Sequence, residues 1–184
     1  MLQRLTKAQD IHQVLRVGLL DLMSFLGADR GNVQLLGRAG ELVVVAQHGL
    51  SAHFLEAFRR VSVESPSVCG RAAAARAPVF VPEVSEDAIF APHLPVARND
   101  GITSILSCPL TTPDNTWIGV ISAHFALRAH PTPLELQSAG EYGQALAEAV
   151  DQFLPRSERV ETVEAMADDL MEAMEDAPLL VTLR

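Results

Sequence analysis

The alternation of apolar and polar positions divides the chain into helices and strands. Leu2, Leu5, Ile11, Val14, Leu15, Leu19, Leu22, Phe25 and Leu26 predict one amphipathic helix over residues 2–27; from Ile11 on they keep the i, i+3, i+4 spacing. Gly18 sits inside this stripe, either at a close helix contact or as a tolerated glycine. Asp29–Leu36 and Glu41–His48 flank the turn GRAG and read as two strands. Val33, Leu35 and Leu36 face one way and Asn32 and Gln34 mostly the other, while Val43, Val44 and Val45 suit a buried strand.

A second helix is predicted over Ala52–Arg60, capped by Ser51, with Leu50 and Leu55 in the positions of a hydrophobic staple and Phe58 on the apolar stripe. Ser65–Ala77 reads as a loop and then an alanine-rich helix, capped by Ser67 and stopped by Pro78; a short strand follows, Val79–Val81. Glu83–Asp100 is irregular, with short helical turns expected around Ser85–Phe90 and His93–Asn99. Its Ile89, Phe90, Leu94 and Val96 are enough for it to fold back as a lid.

The most apolar stretch comes next. Ile102–Leu110 and Thr116–Phe125 form a predicted hairpin around the turn TPDN, which must be central to a sheet. It nevertheless carries Ser104, Ser107, Cys108, Ser122 and His124. Thr132, Pro133 and Glu135 then mark a helix start with a capping box, and the helix runs to about Leu154 before Pro155 breaks it. Its buried stripe is predicted as Leu134, Tyr142, Leu146, Ala149, Val150, Phe153 and Leu154.

This order gives an α+β fold with a central antiparallel sheet of five to six strands. The terminal helices cover one face, and the lid segment with the alanine-rich helix covers the other. Residues 1–155 form the domain and 156–184 an acidic amphipathic tail. Within the tail, residues 157–184 hold eight acids and two arginines, yet Val160, Val163, Ala167, Leu170, Met171 and Met174 keep a helical stripe. It is therefore either a solvated acidic helix or a continuation of the helix bundle that also suits a partner, and the coherent stripe favours the second. Its end, PLLVTLR, is a short apolar segment.

Charge and cysteine usage narrow the function. A net charge of −9 disfavours nucleic acid and anionic membrane surfaces as partners. The apolar runs are too short to span a bilayer and the N-terminus lacks a signal-peptide core, so a cytoplasmic location is expected. Two cysteines, Cys69 and Cys108, fit neither a disulfide framework nor a zinc site. RGNVQLLGRAG lacks the lysine and spacing of a phosphate loop, and no Ser-His-Asp order or paired carboxylate stands out.

Several phrases, taken in order, carry a family resemblance: ADRGNVQLL, VVAQHGL, FLEAFRRV, SVCGRAAAARAPVFVPEV, DAIFAP, GITSILSCPL and IGVISAHF. Together they span roughly residues 5–154 and resemble a GAF domain, particularly those attached to bacterial sensor histidine kinases. The resemblance implies two terminal helices on one face of the sheet, a pocket roofed by the irregular segment on the other, and frequent dimerisation through the terminal helices. It also implies ligands as varied as cyclic nucleotides, bilins, haem and small metabolites.

Side chains two apart on a strand share a face. Val120, Ser122 and His124 therefore face the implied pocket, while Gly119, Ile121, Ala123 and Phe125 face the helices. Ile105 and Ser107 join the pocket set from the first hairpin strand, and Asn32 and Gln34 from the first strand of the domain. Cys69, Phe90 and Leu94 complete the candidate ligand contacts. No metal is expected at His124, because no second histidine has a convincing spacing. No cofactor is assigned.

Cys69 lies near a helix start, where the dipole could lower its pKa. Its phrase VCG also occurs in a branch of the family that reduces free methionine sulfoxide. That branch uses a further cysteine in the irregular segment, and none lies between Cys69 and Cys108 here. Covalent bilin attachment is discounted, because Pro92-His93 stands where the relevant Cys-His pair would sit. The expectation is thus a non-enzymatic, homodimeric module that binds an unidentified small molecule and signals through its terminal helices to a partner protein in trans. The alternatives are a ligand-free interaction or dimerisation module, and a thiol-based redox enzyme or sensor using Cys69.

Overall fold

The hairpin forms, and its second strand lies at the centre of the sheet. The computed structural model describes residues 2–175. Its strands are β1 (Arg30–Leu36), β2 (Leu42–His48), β3 (Arg60–Val61), β4 (Val79–Val81), β5 (Ser104–Thr111) and β6 (Trp117–Phe125). They assemble in the order β3-β2-β1-β6-β5-β4, each neighbour antiparallel. The first strand of the domain thus closes against the last, and the six strands confirm the α+β antiparallel architecture. β2 carries a bulge: Val33 pairs with Ala46 and Gln34 with Val44, so Val45 has no partner of its own on β1.

The helices are α1 (Leu2–Leu5), α2 (Ile11–Leu26), α3 (Ala52–Phe58), α4 (Val68–Ala75), α5 (Leu94–Asn99), α6 (Pro133–Phe153) and α7 (Arg156–Glu175). Helices α2 and α6 cover one face, packing on Val33, Leu35, Leu106, Cys108, Ile121 and Ala123. Gly18 is a contact position: a Cβ there would lie 2.6 Å from Leu146 Cδ1, so α2 and α6 approach closely. On the central pair the constraint is harder, because a Cβ at Gly119 would lie 2.1 Å from the Gln34 carbonyl oxygen.

The caps predicted from sequence form. Ser51 accepts from Phe54 N, Ser67 from Gly70 N, and Thr132 and Glu135 make a full capping box. Four predicted boundaries or faces change. Residues 2–27 are two helices, because Asp10 caps a new one by accepting from Gln13 N at 2.8 Å. The helix after Ser51 ends at Phe58, and Arg60–Val61 is instead drawn into the sheet against Leu42 and Val43. Leu134 is 70% exposed at the start of α6, and Phe153 is 36% exposed near its end, so neither belongs to the buried stripe. Residues 178–184, the short apolar segment, lie outside the described residues.

Helix α7 uses its apolar stripe within the chain. Val163, Met166 and Ala167 are buried in the helix-side core, while Leu170, Met171 and Met174 pack against the core of the opposite face. Glu164 pairs with Arg60 and accepts from Arg38 N at 2.9 Å, which ties α7 to the β2–β3 edge. The Glu164 hydrogen bond, joined by Glu41, raises the Arg60 pKa even though desolvation works against it. Among the described residues no helix is long and apolar enough to cross a membrane.

Candidate functional site

Three adjacent strands present their polar side chains to the face away from α2 and α6. The register places Asn32 opposite Ser122, Gln34 opposite Val120, Ser107 opposite Ser122 and Ile105 opposite His124. Alternation puts all of these on one surface, and all but Val120 floor a buried cavity of about 20 Å³. That volume holds about one water molecule.

The walls and roof come from elsewhere in the chain. Helix α3 contributes Phe54 and Phe58, the start of α4 contributes Ser67, Val68 and Cys69, and the irregular segment contributes Phe90. Aromatic contacts run across the top. Phe54 stacks on Phe58 at 4.6 Å and meets the His124 ring edge-on at 5.3 Å, while His93 bridges Phe58 and Phe90 at 5.1 and 5.6 Å. Phe90 is held from behind. Asp87 accepts from Phe90 N at 3.0 Å and Ile89 N at 2.9 Å, and it pairs with Arg71 of α4 at 2.8 Å. Burial pushes the Asp87 carboxyl up, but Arg71 and these amides outweigh it and hold it below the usual range.

Eight of the nine residues singled out from sequence line this cavity: Asn32, Gln34, Cys69, Phe90, Ile105, Ser107, Ser122 and His124. Leu94 does not. It is half-buried at the start of α5 and packs on the edge of the same core. Sequence reasoning missed Phe54, Phe58, Ser67 and Val68. The i, i+4 spacing of Phe54 and Phe58 was a usable signal, since it stacks both rings on one helix face.

The polar groups pair incompletely. His124 Nε2 lies 3.1 Å from Asn32 Oδ1, which makes it the donor of that bond. Its Nδ1 is buried with no partner. Burial pushes the imidazole pKa down to about 4; Asp100 opposes this and Arg30 adds to it. Asp100 itself accepts from both the backbone and the hydroxyl of Ser51. Gln34 Nε2 donates to Phe58 O at 3.4 Å, leaving its Oε1 buried and unpartnered. Ser107 and Ser122 hydroxyls meet at 2.7 Å.

Cys69 sits 3.2 Å from Ser67 Oγ. Burial pushes its thiol up, and the Ser67 hydroxyl and Gly70 amide pull the other way without prevailing. The helix start therefore does not lower this pKa as the sequence suggested. Cys108, buried on the helix face, is pushed up to about 12. Among the described residues no three His, Cys, Asp or Glu side chains converge to hold a metal ion.

Solved structures share this fold, three among them from bacterial proteins. A domain of a putative two-component sensor histidine kinase from Sinorhizobium meliloti superposes with a TM-score of 0.64 at 21% identity, covering 86% of this chain and 99% of its own. The GAF-B domain of DevS from Mycobacterium smegmatis gives 0.57 at 25% identity, covering 78% and 94%. Free methionine-R-sulfoxide reductase from Neisseria meningitidis, in complex with its substrate, gives 0.65 at 21% identity, covering 82% and 83%. The last corrects the expectation drawn from sequence that the chain is not an enzyme: an enzyme is built on the same fold, so the fold carries no such exclusion. Among curated proteins none matches the sequence. The family model described as GAF domain matches residues 10–150, the same stretch that builds the sheet, the two covering helices and the cavity, and the chain belongs to the GAF domain family.

Proposed function

We propose that this GAF domain is a cytoplasmic sensory module that binds a small molecule over the polar face of β1, β5 and β6 and signals through its terminal helices to a partner protein. The observation that carries this reading is the pair of buried, unpartnered acceptors, Gln34 Oε1 and His124 Nδ1, beneath an aromatic roof. A core does not keep such groups without loss of stability, and a ligand that satisfies them offsets it. The fold likeness to a domain of a sensor histidine kinase agrees with this reading.

Binding requires the roof to move, because the buried cavity holds about one water molecule. A ligand that favours the open roof then shifts the protein between two arrangements by its differential affinity for them. Strand β6 touches both sides, with Ser122 and His124 under the roof and Ile121 and Ala123 against the helices. The partly exposed Phe25 and Phe153 on α2 and α6, with Leu134, supply apolar contacts for a homodimer.

A thermal-shift screen of metabolites tests this reading. A compound that raises Tm for the wild type and not for His124→Leu supports it. No shift from any compound, with His124→Leu leaving every partner interaction intact, would sink it. The small buried cavity favours a second reading, a ligand-free dimerisation or interaction module in which Phe54, Phe58 and Phe90 are simply core. Retained partner binding in a protein that takes up no compound is the outcome that selects it.

A further inference from the structure

The floor of the cavity reads as an ordered row of hydrogen-bonding groups. At one end Gln34 gives one of its two amide protons to Phe58 O and leaves its Oε1 without a partner. At the other end His124 offers a bare Nδ1, because Nε2 carries the proton shared with Asn32 Oδ1. Between them lie the paired hydroxyls of Ser107 and Ser122. One hydroxyl donates to the other, which leaves a single proton for a third partner. The two unpartnered acceptors, Gln34 Oε1 and His124 Nδ1, therefore flank the serine proton.

None of the lining residues carries a formal charge, for the set contains no Asp, Glu, Lys or Arg. The low pKa of His124 keeps its ring neutral near pH 7. Two charged groups act on it from outside the lining. Asp100 is already occupied by Ser51, and Arg30 is half-buried, two residues before Asn32 on the same strand face. A charged ligand in this cavity would lose its hydration and find no counter-charge in the lining.

We propose that the cavity takes an uncharged ligand with a urea-type edge, presenting N–H, C=O and N–H in sequence to Gln34, the serine pair and His124. The proposal rests on the reading of this cavity as a ligand site. The edge pairs each floor group with its complement, whereas an anion would set lone pairs against both acceptors. The aromatic roof then stacks on the flat face of such a group.

Three probes of similar size test it by NMR titration of the full chain: imidazolidin-2-one, its 1,3-dimethyl counterpart without N–H groups, and propanoate. Imidazolidin-2-one is expected to shift the Gln34 and His124 side-chain signals and to bind at least ten-fold more tightly than the other two. Gln34→Leu or His124→Leu should collapse that gap. Because the roof is closed, the same titration is run on Phe58→Ala, with Phe90→Leu in its place if Phe58→Ala does not fold.

Equal or tighter binding of the dimethyl compound or of propanoate overturns the urea-type edge and leaves the ligand site standing. Silence of all three probes in both the wild type and a folded roof variant also overturns it. A metabolite hit in the thermal-shift screen would then show that the ligand site survives its loss. The ¹⁵N spectrum of His124 gives an independent check. An unprotonated Nδ1 is expected, and a protonated one contradicts the row.

Discussion

On the helix side of the sheet, Leu106, Cys108, Ile121 and Ala123 from β5 and β6 meet α2 and α6; the polar exceptions are Ser104 at the start of β5, which donates to Pro82 O and accepts from Ala129 N, and Asp21 and Tyr142 of the helices. On the other side the same two strands present Ile105, Ser107, Ser122 and His124 to a cavity. Backbone, register and burial are shared, so the difference lies in side-chain chemistry alone. A face that only stabilises is free to be wholly apolar. On the sheet itself the unpaired buried atoms, Gln34 Oε1 and His124 Nδ1, lie on the cavity side, whereas those of the other side, Asp21 Oδ2 and Tyr142 OH, belong to its helices.

The contrast breaks most visibly on the helix side. Ile121 is fully buried, and Ile121→Ala should destabilise by about 4 kcal/mol in urea unfolding, through lost transfer energy and a cavity that the helices cannot fill. A comparable loss for Ser122→Ala would erase the distinction between the faces. That substitution removes one partner of a neutral pair and should cost only about 1 kcal/mol.

Acid reads the pocket side. The unfolded chain holds His124 near 6.5 and the fold lowers it to about 4. Stability should therefore be unaffected by this group above pH 6.5 and fall as pH drops through that window. By pH 4 about 3 kcal/mol should be lost, because the unfolded chain takes the proton first. His93, whose pKa burial also lowers, adds to the loss in the same direction. Equilibrium unfolding between pH 7 and 4 measures it, and His124→Leu should flatten the curve.

Smaller effects sharpen the picture of the roof and the tail. Asp87→Ala releases the amides of Ile89 and Phe90 and the Arg71 pair, costing about 1 kcal/mol. Its more telling readout is faster amide exchange at Phe90, which the helix face should not share. Asp168→Ala removes an exposed pair with Arg59 and should change stability by less than about 0.5 kcal/mol. A larger loss there would mean that α7 is held by charge and not by Val163, Met166 and Ala167.

Much of this was legible in the sequence where the cause is local. Alternation along β6 fixes which of its side chains share a face. Ser51, Ser67 and Thr132 cap their helices through atoms three residues away. Less legible was whatever depends on distant segments. Phe54 and Phe58 reach the cavity only because α3 packs onto β1 and β6, with Phe58 O on Gln34 and Phe54 on His124, and in the irregular segment Phe90 reaches it while Leu94 does not. The break before Ile11 had a local signal in Asp10, but the apolar pair Leu2 and Leu5 continued the stripe and masked it. The cavity's size follows from packing several segments at once, and no spacing encodes it.

Native mass spectrometry of the freshly isolated protein, beside His124→Leu prepared in parallel, tests the central claim most directly. Small-molecule recognition on the polar face predicts a bound mass on the wild type that is lost on unfolding and reduced or missing on the variant. Two proteins of bare chain mass, with identical partner binding, would contradict it.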